Sequence, residues 1–392
     1  MLGIWEVIII EKEMCWLWLA TLDGIAAADI TELLKSFGSA CDIYKEESFK
    51  GISGIKPALI AKLKNKSLLA AEDIIKKSKQ IGAKIITFES KSYPEALKYI
   101  NNPPYVFYLR GEVPDWKNRL NIGVVGTRRA TEYGIAVTKR ICAGLAENGV
   151  TVVSGMARGI DTVAANTAIE SGGKTIAVLG CSIDRAYPAE NAPLMNRIIE
   201  NGAVISEYPP GAPTRKLNFP MRNRIISGLS RGILVTEAPK KSGALITANI
   251  ALEDGRDVFA VPGSIFKKSS EGANALLVSS AKAVVSEWDI ISEYMREYDF
   301  LNKPKKRGKD LSDKKPKSAD SGSVMLYDTE KYRKLSETEK TVAALLLEGN
   351  MHIDDIKRES GIEMSELNRT LSVMELGGYI NKLPGNIYKL NI

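Results

Sequence analysis

Residues 121–134 read NIGVVGTRRATEYG: a short apolar strand, a glycine turn that carries two arginines, and the start of a helix. The same alternation continues on both sides of this unit. Further apolar runs lie at residues 105–109, 150–153, 175–179, 203–206, 232–235 and 258–261, and helices are predicted at 131–147, 161–171, 189–200 and 243–253. Apolar strands that alternate with helices are typical of a parallel sheet covered on both faces. The sequence therefore predicts a doubly wound, mostly parallel α/β domain over residues 85–298.

A helical domain is predicted ahead of the sheet, over residues 14–78. Two of its turns, at Gly24-Ile25 and Gly54-Ile55, are each followed by an apolar helical period, as in a helix-hairpin-helix motif. Such hairpins can offer backbone N–H groups to a DNA phosphate. A purely structural helical cap is the alternative interpretation of the same pattern.

A second small domain is predicted at the C-terminal end, over residues 333–392. Ser336 and Glu339 form a capping box that begins the first of three helices, and a hairpin follows them. Three helices and a hairpin indicate a winged helix. Residues 299–332, rich in Lys, Asp, Ser and Pro, are predicted to be a flexible basic linker between this domain and the sheet.

The charge of the chain is concentrated in that linker. The net charge is +7, but residues 303–318 contain eight Lys or Arg and two Asp, so this stretch alone contributes +6. The other residues are together close to neutral. A binding site for a polyanion on the folded domains must therefore be a local groove rather than a uniformly basic surface.

The residue types needed for several classes of chemistry are scarce. The chain has one histidine, four cysteines and no CxxC pair, so no metal, no cofactor and no catalytic His-based pair are expected. Glu11, Lys12 and Glu13 interrupt the apolar N-terminal stretch, and no basic segment precedes it. These features predict neither a transmembrane helix nor a signal peptide, and so a cytoplasmic protein with reduced thiols and no membrane partner.

Glycine, hydroxyl and arginine residues gather where the predicted strands end, which is where an open parallel sheet binds ligands. Glycine lets a phosphate approach the backbone, helix N-termini attract it, and arginine grips it with two donors. The alternative is ordinary turn chemistry, but several such loops together favour a binding site. The GxGxxG and GxxxxGK[ST] patterns are absent, which disfavours a dinucleotide or ATP site. The candidate residues are Gly126, Thr127, Arg128, Arg129, Ser154, Gly155, Met156, Ala157, Arg158, Gly159, Gly180, Ser242 and Gly243.

Residues 215–224, RKLNFPMRNR, place four cations around one aromatic ring. Single-stranded nucleic acid is bound by such a combination, because cations follow the backbone and an aromatic face stacks on a base. The alternative is a helix N-terminus with Phe219 in the core and Asn223 and Arg224 forming a buried polar clamp. The candidates for DNA contact in this segment are Lys216, Phe219, Arg222, Asn223 and Arg224.

The central sequence carries seven distinctive motifs in order: GVVGTRRATEYG from Gly123, VSGMARGID from Val153, TIAVLG from Thr175, SEYPPG from Ser206, NFPMRNRIISGLSRGILVTEA from Asn218, SGALITA from Ser242 and FAVPGSI from Phe259. With these motifs it resembles the DNA-processing protein A (DprA/Smf) family. The resemblance implies an extended Rossmann fold, a homodimer, binding of single-stranded DNA, and delivery of RecA recombinase onto that DNA during natural transformation. It also implies DNA contacts at Arg128, at residues 154–159 and at residues 216–224. The chain departs from the family pattern at Ala165, where His is usual, and at Ser280, where Gly is usual.

Two other functions compete with this one. A nucleotide-processing enzyme of the same broad fold, such as a phosphoribohydrolase, would need a positioned carboxylate, for which Asp161 and Glu237 are the candidates. A duplex-binding regulator would use the winged helix, but its third helix and the residues before it (363–375) hold three Glu and one Arg. DNA-reading helices need a positive balance near phosphate. We therefore expect a protein-contact or structural role for this domain.

Overall fold

The computed structural model describes residues 2–22, 24–49, 56–302, 335–347, 349–383 and 385–391. By its internal contacts the chain divides into two compact units, residues 1–287 and 288–392. None of the helices in these described ranges is both long and apolar enough to cross a membrane. Of the predicted linker, residues 299–332, only residues 299–302 lie within the described ranges.

The first unit begins with a group of helices. They are α1 (Leu2–Thr21), α2 (Ala27–Phe37), α3 (Ala40–Lys45), α4 (Pro57–Leu63) and α5 (Leu69–Gln80). Trp16 and Trp18 of α1 are buried in their shared core, and the Trp16 ring stacks on Tyr105 at a centroid distance of 5.8 Å. Because Tyr105 immediately precedes a strand of the sheet, this stacking joins the helices to it. The first Gly-Ile turn has Gly24 at φ 73°, whereas Gly54-Ile55 lies outside the described residues, so the hairpin interpretation stays a prediction.

Nine strands within residues 56–302 form one sheet in the order β1-β2-β6-β5-β4-β3-β7-β8-β9. The strands are β1 (Lys84–Thr87), β2 (Val106–Gly111), β3 (Asn121–Val125), β4 (Thr151–Ser154), β5 (Thr175–Leu179), β6 (Gly202–Ser206), β7 (Gly232–Val235), β8 (Asp257–Ala260) and β9 (Lys282–Ala283). In the part of this order that runs β6-β5-β4-β3-β7-β8-β9, every pair of neighbouring strands is parallel. Strand β2 pairs antiparallel with both β1 and β6. The prediction of a doubly wound, mostly parallel sheet is confirmed.

Six helices connect these strands, and they are α6 (Glu132–Glu147), α7 (Ile160–Glu170), α8 (Ala192–Asn201), α9 (Asn218–Leu229), α10 (Gly243–Glu253) and α11 (Glu271–Ser279), with short 3-10 turns at Glu95–Tyr99, Ala189–Asn191 and Lys268–Ser270. The central strands β3 to β7 are buried along their whole length, which explains their unbroken apolar sequence. From β3 the chain winds outward through β4, β5 and β6, and then returns to build β7, β8 and β9 on the other side. This reversal places a crevice at the carboxyl ends of β3 and β7.

The second unit contains the predicted winged helix. Its elements are α12 (Trp288–Tyr294), a 3-10 turn (Asp299–Asn302), α13 (Glu337–Leu347), β10 (Met351–His352), α14 (Ile353–Ser360), α15 (Met364–Leu376), β11 (Ile380–Leu383) and β12 (Ile387–Leu390). The strands form a sheet in the order β10-β12-β11, with antiparallel pairs. The Ser336 N–H donates to the Glu339 carboxylate and the Glu339 N–H donates to the Ser336 hydroxyl, so the capping box is confirmed. The three helices α13, α14 and α15 with the β11–β12 hairpin confirm the winged helix.

Candidate nucleic-acid interface

The crevice beside β3 and β7 is a groove of about 340 Å³. Its walls are the turn after β3, the loop after β4, the N-terminal part of α9, and the turn that leads into α10. The predicted candidates that line it are Gly126, Thr127, Arg128, Arg129, Ala157, Phe219, Arg222, Asn223, Ser242 and Gly243. The topology thus brings together side chains that are more than 100 residues apart in the sequence.

Close packing of the loops shapes the floor of this groove. A Cβ at Gly126 would lie 2.5 Å from Cγ1 of Ile160, and Gly159, at φ 75°, packs against the carbonyl of Thr127. The Ile160 N–H donates to that Thr127 carbonyl at 3.2 Å, and the Thr127 N–H donates to the Glu237 carbonyl at 2.7 Å. The turns after β3, β4 and β7 are therefore tied together, and side chains larger than glycine would separate them.

An arginine and an aromatic ring meet at the mouth of the groove. The Arg128 guanidinium lies over the Phe219 ring, 6.0 Å from its centroid, and Arg128 is exposed. Phe219 is half-buried, contacts Tyr187 at a centroid distance of 4.8 Å, and packs on Gly180, where a Cβ would come within 2.7 Å of the ring. Gly180 therefore supports the ring from below and has no free face for a ligand.

Arg222 faces the interior, which differs from the expected direct grip on DNA. Its guanidinium donates to the carbonyls of Gly155, at 2.7 Å, and Val178, and its Nε donates to the Asn223 side chain at 3.2 Å. Only 5% of Arg222 is exposed. It joins the ends of β4 and β5, because carbonyls at buried strand ends need donors. Burial lowers the pKa of Arg222, and nearby Asp161 opposes that shift.

Asp161 braces the loop after β4 from within. Its carboxylate accepts hydrogen bonds from the N–H groups of Gly155 at 3.1 Å and Ala157 at 3.3 Å. Burial raises the pKa of Asp161, and the neighbouring Arg222 opposes the shift. Met156 is fully buried in this loop and holds φ at 56°. The Ser154 hydroxyl donates to the Val124 carbonyl at 2.7 Å and is also buried, so these two side chains shape the loop rather than face the groove.

Two other predicted arginines are held by carboxylates. Arg224 is buried and donates to both Glu207 oxygens, at 2.6 and 2.7 Å, as the buried-clamp alternative required. Arg158 is exposed and makes a two-pronged pair with Glu190, at the same two distances. Lys216 is exposed just ahead of α9 and does not line the groove.

Lys241 also lines the groove, although sequence reasoning did not select it. It is exposed and directly precedes Ser242, whose hydroxyl caps α10 by accepting from the Ala244 N–H at 3.2 Å. The sequence feature that points to Lys241 is the Lys-Lys pair at positions 240–241, immediately before the N-terminus of a predicted helix. The open mouth of the groove thus carries three exposed cations, Arg128, Arg129 and Lys241, and the N-terminus of an 11-residue helix.

The same chain regions match known families. Residues 84–295 match the model of DNA recombination-mediator protein A, and residues 328–386 match the DprA winged helix domain. The chain belongs to the DprA/Smf family. The Protein Smf of Synechocystis is 30% identical over 394 residues, which are 97% of this chain and 99% of that relative.

Solved family structures share the fold. The X-ray structure of DprA from Streptococcus pneumoniae has a TM-score of 0.63 and 34% identity, covering 72% of this chain and 97% of that one. DNA processing protein A from Helicobacter pylori, whose structure is described in terms of its single-stranded DNA binding mode, has a TM-score of 0.50 and 30% identity. It covers 55% of this chain and 97% of that one. The DprA/Smf resemblance and the Rossmann-like fold expected from the sequence are confirmed.

Proposed function

We propose that this DprA/Smf chain binds single-stranded DNA in the groove beside β3 and β7, without strong sequence preference. Arg128, Arg129, Lys241 and the N-terminus of α10 contact phosphates, and Phe219 stacks on a base. Gly126, Thr127 and Ser242 line the backbone path, and Lys216 contacts the strand outside the groove. The relative from H. pylori, described by its single-stranded DNA binding mode, supports the same ligand class here.

One observation carries this proposal: the exposed Arg128 guanidinium lies over the half-buried Phe219 ring at the mouth of a groove. The Phe219 ring is a stacking platform that Gly180 supports and over which Arg128 lies. A base that stacks on the ring displaces the Arg128 guanidinium, and the freed cation attracts the phosphate of the stacked nucleotide. Duplex DNA keeps its bases stacked on each other and cannot use this platform. Preference for single strands follows from that difference.

The experiment is a fluorescence anisotropy titration of labelled oligo-dT and of a duplex of equal length, repeated at several salt concentrations. We expect tighter binding of the single strand and a linear fall of log affinity with log salt. Equal affinity for the two forms would refute the proposed stacking mode.

Substitution of Phe219 by alanine is expected to weaken binding of oligo-dT about 10-fold, because one base–ring stack contributes about 1–3 kcal/mol. Phe219→Tyr keeps an aromatic face and should bind within about twofold of wild type. Circular dichroism melts of both variants provide the folding control. Equal weakening by the two substitutions would show that packing on Gly180 and Tyr187, rather than stacking, determines the loss.

We further propose that the protein acts in the cytoplasm as a homodimer, protects incoming DNA, and loads RecA recombinase onto it in natural transformation. Family membership supports this role. A strand-exchange assay with RecA and DNA precoated by single-strand-binding protein tests it. RecA activity should rise when the protein is added, and no rise at any protein ratio would refute the loading role.

The environments of Asp161 and Glu237, the two candidate catalytic carboxylates, favour a binding function over an enzymatic one. Asp161 is engaged by two backbone N–H groups, and Glu237 accepts from the N–H and hydroxyl of Thr131 at 2.9 and 2.8 Å. Both are almost fully buried and each holds a turn in place. The phosphoribohydrolase alternative predicts nucleotide turnover that Asp161→Asn abolishes, and detection of such turnover would favour an enzyme.

The winged helix is proposed to contact protein or to have a structural role. Its third helix, α15, carries Glu366 and Glu375 but only Arg369 as a cation. We expect a fragment of residues 335–392 to bind DNA at least 10-fold more weakly than the full chain, because the acidic helix repels phosphate. A gel shift comparable to that of the full chain would contradict this expectation.

A further inference from the structure

The loop between β8 and α11 exposes two adjacent large apolar side chains. Ile265 is 79% exposed and Phe266 is 89% exposed, and Lys267 and Lys268 follow them directly. Isolated exposed apolar residues are common, but an adjacent pair of large ones on a single loop is a candidate contact surface. The two lysines make an anionic partner favourable.

The base of this loop is firmly held. The Asn274 side chain donates to the Gly263 carbonyl and accepts from the Gly263 N–H, both at 3.0 Å, and the Tyr133 hydroxyl donates to the Pro262 carbonyl at 2.6 Å. The Lys267 N–H donates to the Ser264 carbonyl at 3.1 Å, which forms the turn. The loop therefore presents Phe266 from a fixed position, so that less conformational entropy is lost on binding.

A cavity of about 640 Å³ lies at the foot of the loop, next to the groove described above. The turn after β3 contributes Arg129 to the groove and Thr131 to the cavity. The turn after β7 contributes Pro239 to the groove and Glu237 to the cavity. One residue on each of two turns thus separates the two sites. Because Lys267 lines the cavity, a single strand that leaves the groove through the cavity reaches the loop that carries Phe266.

Both cationic and acidic side chains lie along this path. Lys267 and Lys268 are exposed cations, while the acidic groups are Glu132, Glu237 and Glu271. Glu237 is buried and bonded to Thr131, whereas Glu132 and Glu271 are exposed. Lys267 follows Phe266 directly and Lys268 comes next, so the exposed charges nearest to Phe266 in the sequence are both cationic.

We propose that this loop is a second contact for single-stranded DNA, in which a base stacks on Phe266 and the adjacent phosphates contact Lys267 and Lys268. The inference rests on the proposed binding in the groove and extends it by one segment of the strand. The aromatic ring followed by two cations is the combination that binds single strands without reading their sequence.

Oligonucleotide length separates the two contacts. An oligo-dT of about 4 nucleotides is short enough to occupy the groove alone, whereas one of about 16 nucleotides can reach both contacts. Phe266→Ala, and separately Lys267→Glu with Lys268→Glu, should leave the affinity for the short oligonucleotide unchanged. Each should weaken binding of the long one about 5- to 100-fold. Leu69→Ala, which truncates an exposed apolar side chain of α5, is the matched control and should change neither affinity.

Each result has a defined meaning. A selective loss on the long oligonucleotide supports the second contact. Equal affinities of Phe266→Ala and wild type for both lengths overturn the second contact and leave the proposed groove binding standing. An equal loss on both lengths also overturns it, because the short oligonucleotide occupies the groove alone. Failure of wild type to bind either length refutes the proposed function itself.

A direct readout of stacking uses Phe266→Trp. Addition of the long oligo-dT should quench fluorescence in this variant beyond the change seen in wild type, because a base would stack on the new indole. Addition of the short oligonucleotide should give no extra quenching. No extra quenching with the long one would overturn the assignment of Phe266 as a stacking platform.

Discussion

Substitution of Arg128 by glutamate is expected to lower the affinity for single-stranded DNA by about 100- to 1,000-fold. The change removes a charge-assisted contact to phosphate and places a repelling carboxylate at the same point. Together these effects correspond to about 3–4 kcal/mol. The salt dependence should also become shallower, since fewer counterions are released on binding. Anisotropy titrations at fixed and varied salt measure both quantities.

Arg140→Glu is the matched control for this charge reversal. Arg140 is exposed on α6 and does not line the groove, so the same change in net charge should alter affinity by less than about threefold. Arg158→Ala should also have a small effect, because Glu190 already neutralises Arg158. If Arg128→Glu bound like Arg140→Glu, the strand would not pass through the groove beside β3.

The fold was largely predictable because its strongest signals are local. The buried strands β3 to β8 appear as apolar runs, and α10 has the predicted bounds because Ser242 caps it. The edges of the sheet were not predicted. β9 is two exposed residues, Lys282 and Ala283, which are too few to show a strand pattern, and its pairing with β8 depends on tertiary contacts. The antiparallel placement of β2 between β1 and β6 likewise has no local signature.

The candidate site divides in the same way. Glycine turns and helix caps are local features, and the structure has a groove where they occur, at the strand ends. Which arginine faces solvent was not readable, because the partners that bury or neutralise each one are distant in sequence. Glu190 is 32 residues from Arg158, and the Gly155 carbonyl is 67 residues from Arg222. A cluster of cations in a sequence therefore includes both residues that face a ligand and residues that hold internal loops together, and the sequence alone does not separate them.

Arg222 provides the sharpest test of that distinction, because its removal should first affect stability. Arg222→Leu leaves the carbonyls of Gly155 and Val178 without this donor and removes the cation that opposes the shift in the pKa of Asp161. Loss of one member of a buried charged pair costs about 3–5 kcal/mol of unfolding free energy. We expect the melting temperature to fall by about 10 °C. The affinity for single strands should fall as well, since the loop after β4 loses its anchor.

A double-mutant cycle with Asp161→Asn separates the clamp from a direct DNA contact. If Arg222 acts inside the protein, Asp161→Asn with Arg222→Leu should be less destabilised than the sum of the single variants, because no buried carboxylate then lacks its cation. Arg215→Leu, which removes an exposed arginine of the same segment, should leave the melting temperature unchanged. A direct contact predicts the reverse pattern, in which Arg222→Leu melts like wild type and loses only DNA affinity. Thermal melts and anisotropy titrations on wild type and these four variants therefore decide whether Arg222 holds the loop or the DNA.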